Sequence, residues 1–221
     1  MTRTAALSLA GLLLAVVGCA AVGSSAWPST APASSVGGGS AGSSGDGAAR
    51  RYCTDKGGML VDRVAVWNTN ADPAAQLPLA GRMTFCEFES GSGQETTRIS
   101  VDLTTLSSKQ PTLAAIAYLS KIGPIVPANP GQNPGAYDCN TGLGGSGTFG
   151  NTSAGGGWVA ANEPVFKVMD MCFFADGSAI DEFGIFYYAN GTIRGADLAP
   201  LFRYQPNGKL PAMFAAPQPT P

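Results

Sequence analysis

Five cysteines and no histidine bound the chemistry open to this 221-residue chain. Without histidine there is no Ser-His-Asp or Cys-His nucleophile, no imidazole metal ligand and no side chain of the commonest general-base type. Thiols remain. Cys53 and Cys86 are 33 residues apart, and so are Cys139 and Cys172. Four cysteines allow three pairings, and the equal spacing favours Cys53–Cys86 and Cys139–Cys172. A closed loop of that length is worth up to about 4 kcal/mol in the chain-entropy model. The rivals are a four-cysteine zinc site and a redox couple. Both bring cysteines together as C-x-x-C, and no two of these four are close in sequence. No metal and no cofactor are therefore expected.

Carboxylates are the next candidates. Asp170, Asp176, Asp181 and Glu182 fall within a short stretch. Ile180 to Tyr188 reads as a strand, on which Asp181 and Glu182 would face opposite sides and share no site. Asp176-Gly177 reads as a turn. A hydrolase using carboxylates ranks third among the functional readings, and no catalytic residue is assigned. The Gly-rich stretch 142–157 lacks the G-x-x-x-x-G-K-[ST] phosphate cradle and reads as a loop. The surviving candidate surface is Asp181, Glu182, Tyr187 and Tyr188, beside an Asn190-Gly191 hairpin turn. Tyrosine brings a large contact area and a hydroxyl to a binding face. On a strand Tyr187 and Tyr188 diverge, so that one packs inward and the other meets a partner.

The elements that would hold these residues begin after a leader. Arg3 precedes an apolar run, Ala5 to Val17, and then Gly18-Cys19, which is the pattern of a secretory signal. The run is shorter than the roughly 20 residues that span a bilayer as a helix. Val16-Val17-Gly18-Cys19 resembles a lipobox. The resemblance implies cleavage before Cys19 and lipid on its thiol, which would be the chain's contact with a membrane; several acyl chains on one residue anchor stably. Ala20 then implies the outer membrane in a Gram-negative host, or the outer face of the cell membrane otherwise. Loss of residues 1–18 removes Arg3 and no acid, leaving 12 basic against 15 acidic side chains, a net charge of −3. That balance argues against nucleic acid as a partner. Residues 19–47 carry the lipid and a Gly/Ser/Ala/Pro tether with a reach of roughly 30 Å. Residues 206–221 form a Pro-rich tail expected to be disordered.

Between tether and tail a pattern recurs. Tyr52-Cys53, Gly57-Gly58 and Cys86-Glu87-Phe88-Glu89-Ser90-Gly91-Ser92 correspond to Tyr137-Asp138-Cys139, Gly144-Gly145 and Cys172-Phe173-Phe174-Ala175-Asp176-Gly177-Ser178. Asp102-Leu103-x-x-Leu106 is echoed more faintly by Asp197-Leu198-x-x-Leu201. Repeat 1 is placed at 48–106, a connecting helix and loop at 107–132, and repeat 2 at 133–205. Expected helices are Ala48 to Lys56, capped by Asp46 and ended by Gly57, one opened by Asn133-Pro134, and Pro111 to Lys121. Expected strands are Met59 to Trp67, Arg82 to Phe88, Val165 to Val168, Met171 to Phe174 and Ile180 to Tyr188. The expected fold is α+β: two small helix-plus-antiparallel-sheet repeats with one disulfide each, after a signal peptide and flexible linker.

These motifs, with Asn133-Pro134-Gly135-Ala136 before the second copy and Asp181-Glu182-Phe183 and Tyr187-Tyr188 after it, resemble a small bacterial lipoprotein domain of unknown function whose members are often labelled hemolysins. The chain would carry two diverged copies. Copy one lacks the later aromatics, having Gln94-Glu95-Thr96-Thr97. Copy two has an extra residue before Cys139 and a Gly-rich insertion from Ser146 to Gly157. The resemblance implies a cell-envelope location and a fold, and no chemistry. The leading expectation is a lipid-anchored, non-enzymatic binding protein whose partner is another envelope protein or a secreted protein. A membrane-active, hemolysin-like protein is second. Lysis ordinarily uses a basic amphipathic helix or a spanning barrel, and this acidic chain with short strands fits neither.

Overall fold

The computed structural model describes residues 44–129, 131–147, 155–160, 168–208 and 210. The signal, Cys19, the tether to residue 43 and the tail from 211 lie outside them. The described residues form one compact unit.

Helix α1, Ser44–Asp55, stops where the sequence says it should. Gly57 takes φ 83°, and the Gly58 amide donates back to the Cys53 carbonyl at 3.0 Å, closing the helix in a left-handed turn that glycine adopts without strain. Strand β1 (Met59–Trp67) follows, then β2 (Leu77–Ser90) and β3 (Thr97–Asp102). Two short helices come next, α2 (Leu103–Ser107) and α3 (Leu113–Ser120), capped by Asp102 and Thr112. The second half runs α4 (Pro134–Thr141), β4 (Ser146–Gly147), β5 (Gly156–Ala160), β6 (Met171–Phe173), β7 (Ala179–Asp181) and α5 (Glu182–Ala189).

All seven strands join one antiparallel sheet in the order β4-β6-β7-β3-β2-β1-β5. The seam between the halves is β3 against β7, with Val101 opposite Ile180. From that seam the order is β2 then β1 on one side, and β6 then β4 on the other. The register slips between Val64 and Val66, a bulge that bends and twists the hairpin. Trp158 of β5 and Met169, just before β6, exchange two backbone hydrogen bonds of 2.9 Å, which curls the sheet back toward its other end.

Each face of the sheet buries its own core. Cys86, Phe88, Ile99, Val101 and Ile180 pack against Ala114, Tyr118, Ile185, Tyr188 and Leu198 from the helices and the C-terminal segment. The other face gathers Ala65, Phe85, Trp158, Met169, Met171 and Ala179. Alternation along β2 assigns Cys86 and Phe88 to the first and Phe85 to the second.

The disulfides are Cys53–Cys86 and Cys139–Cys172, each with Cα atoms 5.7 Å apart and every cysteine fully buried. Each ties a helix to a strand. The adjoining glycine pairs serve them alike. Gly57 and Gly144 have positive φ. A Cβ on Gly58 would stand 2.3 Å from Cys86 Sγ, and one on Gly145 2.5 Å from Cys172 Sγ. The first glycine turns the chain and the second leaves room for the sulfur.

The structure departs from the sequence reading at four points. Asp46 lies in the first turn of α1, accepting from Arg50 Nε, and does not cap it. The strand expected from Ile180 to Tyr188 ends at Asp181, and residues 182–189 are helical. Asn190-Gly191 consequently closes a helix and no hairpin: Gly191 and Thr192 donate to the carbonyls of Tyr188 and Tyr187. Strands β3, β4 and β5 and helix α2 had no counterpart in the reading, which took 142–157 as a loop although β4 and the start of β5 lie within it. Of the strand expected over Val165 to Val168, residues 165–167 lie outside the described residues.

Candidate functional site

Asp181 decides the geometry of the second half. It ends β7, and its carboxylate accepts from the Gly184 amide at 2.8 Å, satisfying one of the donors that a helix start leaves unpaired. The aromatic residues that follow are strand formers by propensity, but a capped start and packing on the sheet override that preference. Gly184 allows the approach: a Cβ there would lie 2.5 Å from Ile99 side-chain carbons.

A helical turn sorts the aromatics. Phe183 and Tyr187, four residues apart, stack with centroids 6.3 Å apart. Arg194 lies over both rings, 5.2 Å from the Tyr187 centroid and 5.9 Å from that of Phe183. Tyr187 is 36% exposed and the neighbouring Ile193 53%. Tyr188 points inward, stacked on Tyr118 at 3.9 Å, with Lys121 Nζ 4.3 Å from its ring centre. Tyr118 in turn accepts from the Leu198 amide, so Tyr188 helps pin the C-terminal segment.

The acids lie beneath this face. Asp181 and Glu182 are 2% and 0% exposed. Asp170 adjoins them: its carbonyl accepts from the Glu182 amide at 3.0 Å, and Met171 pairs with Asp181. Burial pushes Asp181 up to about 6 against the Gly184 hydrogen bond and the Arg194 charge, with Asp170 adding to the rise. Burial raises Asp170 to about 6 as well, opposed by the Asn133 amide, which lies 3.5 Å from its carboxylate. Asn133 also accepts from the Gly135 and Ala136 amides and so caps α4. Of the four residues singled out from sequence, Asp181, Glu182 and Tyr188 are buried and Tyr187 reaches the surface. Of the carboxylates considered from sequence, Asp170 is the one that neighbours Asp181.

A second polar group was not legible. Arg63 donates to Glu87 Oε2 at 2.6 Å and to the Trp158 carbonyl at 3.3 Å. Ser100 Oγ donates to the same carboxylate oxygen at 2.7 Å, and Arg98 stands 3.9 Å from the other. Arg63, Glu87 and Ser100 are all buried. The only signal was parity: Glu87 shares its strand face with Phe85, and Arg63 with Ala65. Among the described residues no group of three or more His, Cys, Asp or Glu side chains is arranged to hold a metal ion.

Over the outer part of the β1–β2 hairpin opens a cleft of about 300 Å³ lined by Asp62, Arg63, Val64, Arg82, Met83 and Thr84. Arg50 of α1 reaches its rim, donating to Thr84 Oγ1 at 2.7 Å.

No protein-family model, curated protein or solved structure matches the chain.

Proposed function

We propose that this chain is a lipid-anchored protein of the cell envelope that acts by binding another protein, without catalysis, through the outer face of α5 and the turn after it. The observation that carries the reading is the surface formed by Tyr187, Phe183, Ile193 and Arg194. Tyrosine and arginine are the side chains most often dominant at protein contacts, and here both are ordered before any partner arrives. An aromatic surface held rigid loses little freedom on binding. Anchoring rests on the lipobox at Val16-Val17-Gly18-Cys19. Two buried disulfides suit an oxidising compartment, and no helix among the described residues is long and apolar enough to cross a membrane. The likeness of the two halves in disulfide, glycine pair and capping aspartate supports a diverged duplication, as the resemblance to the small bacterial lipoprotein domain implies.

The test is capture of a partner from envelope extract by the wild-type chain and by Tyr187→Ala and Arg194→Ala variants. A discrete protein retained by the wild type and lost from both variants, with melting temperature unchanged, is the expected result. Equal retention by all three would remove α5 as the binding face.

A further inference from the structure

We propose that Asn207 is a site of spontaneous deamidation, and that the fold withholds the same reaction from Asn190. The chain has two Asn-Gly pairs, Asn190-Gly191 and Asn207-Gly208, and all four residues are exposed to water. Glycine after asparagine favours the reaction because it has no side chain to crowd its amide nitrogen. That nitrogen gives up its proton to solvent and attacks the asparagine Cγ. The N–Cγ bond forms, the Cγ–Nδ2 bond breaks, and ammonia leaves a five-membered imide. Water then opens the imide at either carbonyl. Opening at Cγ gives aspartate, and opening at the backbone carbonyl gives isoaspartate, with the chain rerouted through the side chain. One water is consumed and one ammonia released.

At Asn190 every participant is held away from that path. The Gly191 amide donates to the Tyr188 carbonyl at 3.0 Å, so the proton it must surrender is engaged. The Asn190 side-chain amide donates to the Phe186 carbonyl at 3.1 Å, which draws it back along α5. At ψ 6° the backbone nitrogen of Asn190 eclipses that of Gly191. Tetrahedral geometry then swings Cβ, and Cγ with it, away from the attacking atom. Reaction there requires the last turn of α5 to open, and such local opening costs free energy.

Asn207 is under no such restraint. Gln205, two residues earlier, fastens the chain by donating to the carbonyls of Ala199 at 3.0 Å and Phe202 at 2.8 Å. Beyond it, neither Asn207 nor Gly208 makes a hydrogen bond among the described residues. The products differ in consequence as well. A carboxylate at position 190 would stand at the C-terminal end of α5, where the helix dipole disfavours it. At position 207 it lies past the last side-chain anchor of the C-terminal segment. The chain therefore ages at the junction with its tail and not at α5.

The test is to incubate the purified full chain, oxidised and folded, in mildly alkaline buffer and to follow both asparagines by peptide mass mapping, with isoaspartate counted by enzymatic carboxyl methylation. Asn207 is expected to convert about tenfold or more faster than Asn190. With the disulfides reduced in urea, the two should convert at rates within a few-fold of each other, because both are followed by glycine. Gly208→Val, which crowds the attacking nitrogen, should stop conversion at Asn207 and leave Asn190 as it was. Three results would overturn the proposal: equal rates at the two sites in the folded chain, an Asn207 that reacts only in urea, or conversion of Asn207 in Gly208→Val at the wild-type rate.

Discussion

Asp102 and Asp181 occupy matching places in the two halves. Each follows one residue of the Val101–Ile180 pair at the seam, ends its strand, and accepts from the amide three residues on, Thr105 in one case and Gly184 in the other. Asp102 also accepts from the Ala179 amide at 2.7 Å, so the cap of the first half reaches across into the second. The correspondence is hard to see in sequence because Asp102 comes sixteen residues after Cys86 while Asp181 comes nine after Cys172. The fainter echo at Asp197 is a different arrangement, in which the carboxylate accepts from the Ala199 amide.

Gly58→Ala and Gly145→Ala each drive a methyl group into a disulfide sulfur. Each variant is expected to lose about 1–3 kcal/mol, the usual cost of overpacking, read from the urea midpoint of the oxidised protein. Wild-type midpoints for both would show that the glycines are not there for the sulfurs.

The neighbouring tyrosines of α5 should behave oppositely. Tyr188→Ala removes a buried, stacked ring and should cost about 3–5 kcal/mol. Tyr187→Ala should change stability by less than about 1 kcal/mol while abolishing partner capture. Thermal melts of both variants, run beside the capture assay, check this; similar destabilisation by the two would mean that Tyr187 is core.

Stability should fall as pH rises from about 4 to above 6. A carboxyl whose folded pKa is raised holds its proton more tightly when folded. Its contribution is fully present below the unfolded pKa, about 3.9 for aspartate, and is lost as pH climbs through the folded value, about 6 for Asp170 and Asp181. Asp181→Asn keeps a capping oxygen and should flatten the decline by roughly 3 kcal/mol across that window. Asp176 acts in the opposite sense. Burial pushes it up, but hydrogen bonds from the Ser178 hydroxyl and the Leu113 amide outweigh that and hold it low, so its contribution is lost only on acidification. Denaturant midpoints from pH 3 to 8 that rise steadily with pH would contradict the assignment to Asp170 and Asp181.

Removing Glu87 should be among the most damaging polar changes in the molecule. Glu87→Ala takes the buried carboxylate from Arg63 and Ser100, and breaking such a pair on one side costs about 3–5 kcal/mol. Arg63→Met with Glu87→Leu should recover much of the loss. Equal destabilisation by the single and double variants would show that the pair does not act as a unit.

Cys19→Ala should abolish incorporation of radiolabelled palmitate and release the chain from the membrane fraction. Continued labelling of that variant would place lipid elsewhere.

Disulfide pairing and the turn at Gly57 were legible because they depend on local spacing and on residues with narrow conformational roles. Helices α1 and α4 were legible through their glycine and Asn-Pro boundaries. Helix α5 was not: Ile, Phe and Tyr in succession suit a strand as well as a buried helix, and Asp181 alone, read as a cap, could have tipped the choice. The Arg63–Glu87 pair was illegible for a different reason, because single charges within apolar strands look like solvent-facing positions until the sheet curls and covers them.

The disulfide loops 53–86 and 139–172 do not overlap, so the covalent chain is two closed rings joined by a single strand of polypeptide. During synthesis the first ring can be oxidised before the second has been made. Its β1 would then wait, because β5, which pairs with Arg63 to Trp67 along the outer edge of β1, belongs to the later half. Until residue 160 arrives that edge has unpaired backbone groups, an invitation to foreign strands. Aggregation of truncated or slowly exported chains should therefore begin at β1, in a half whose own disulfide is already correct.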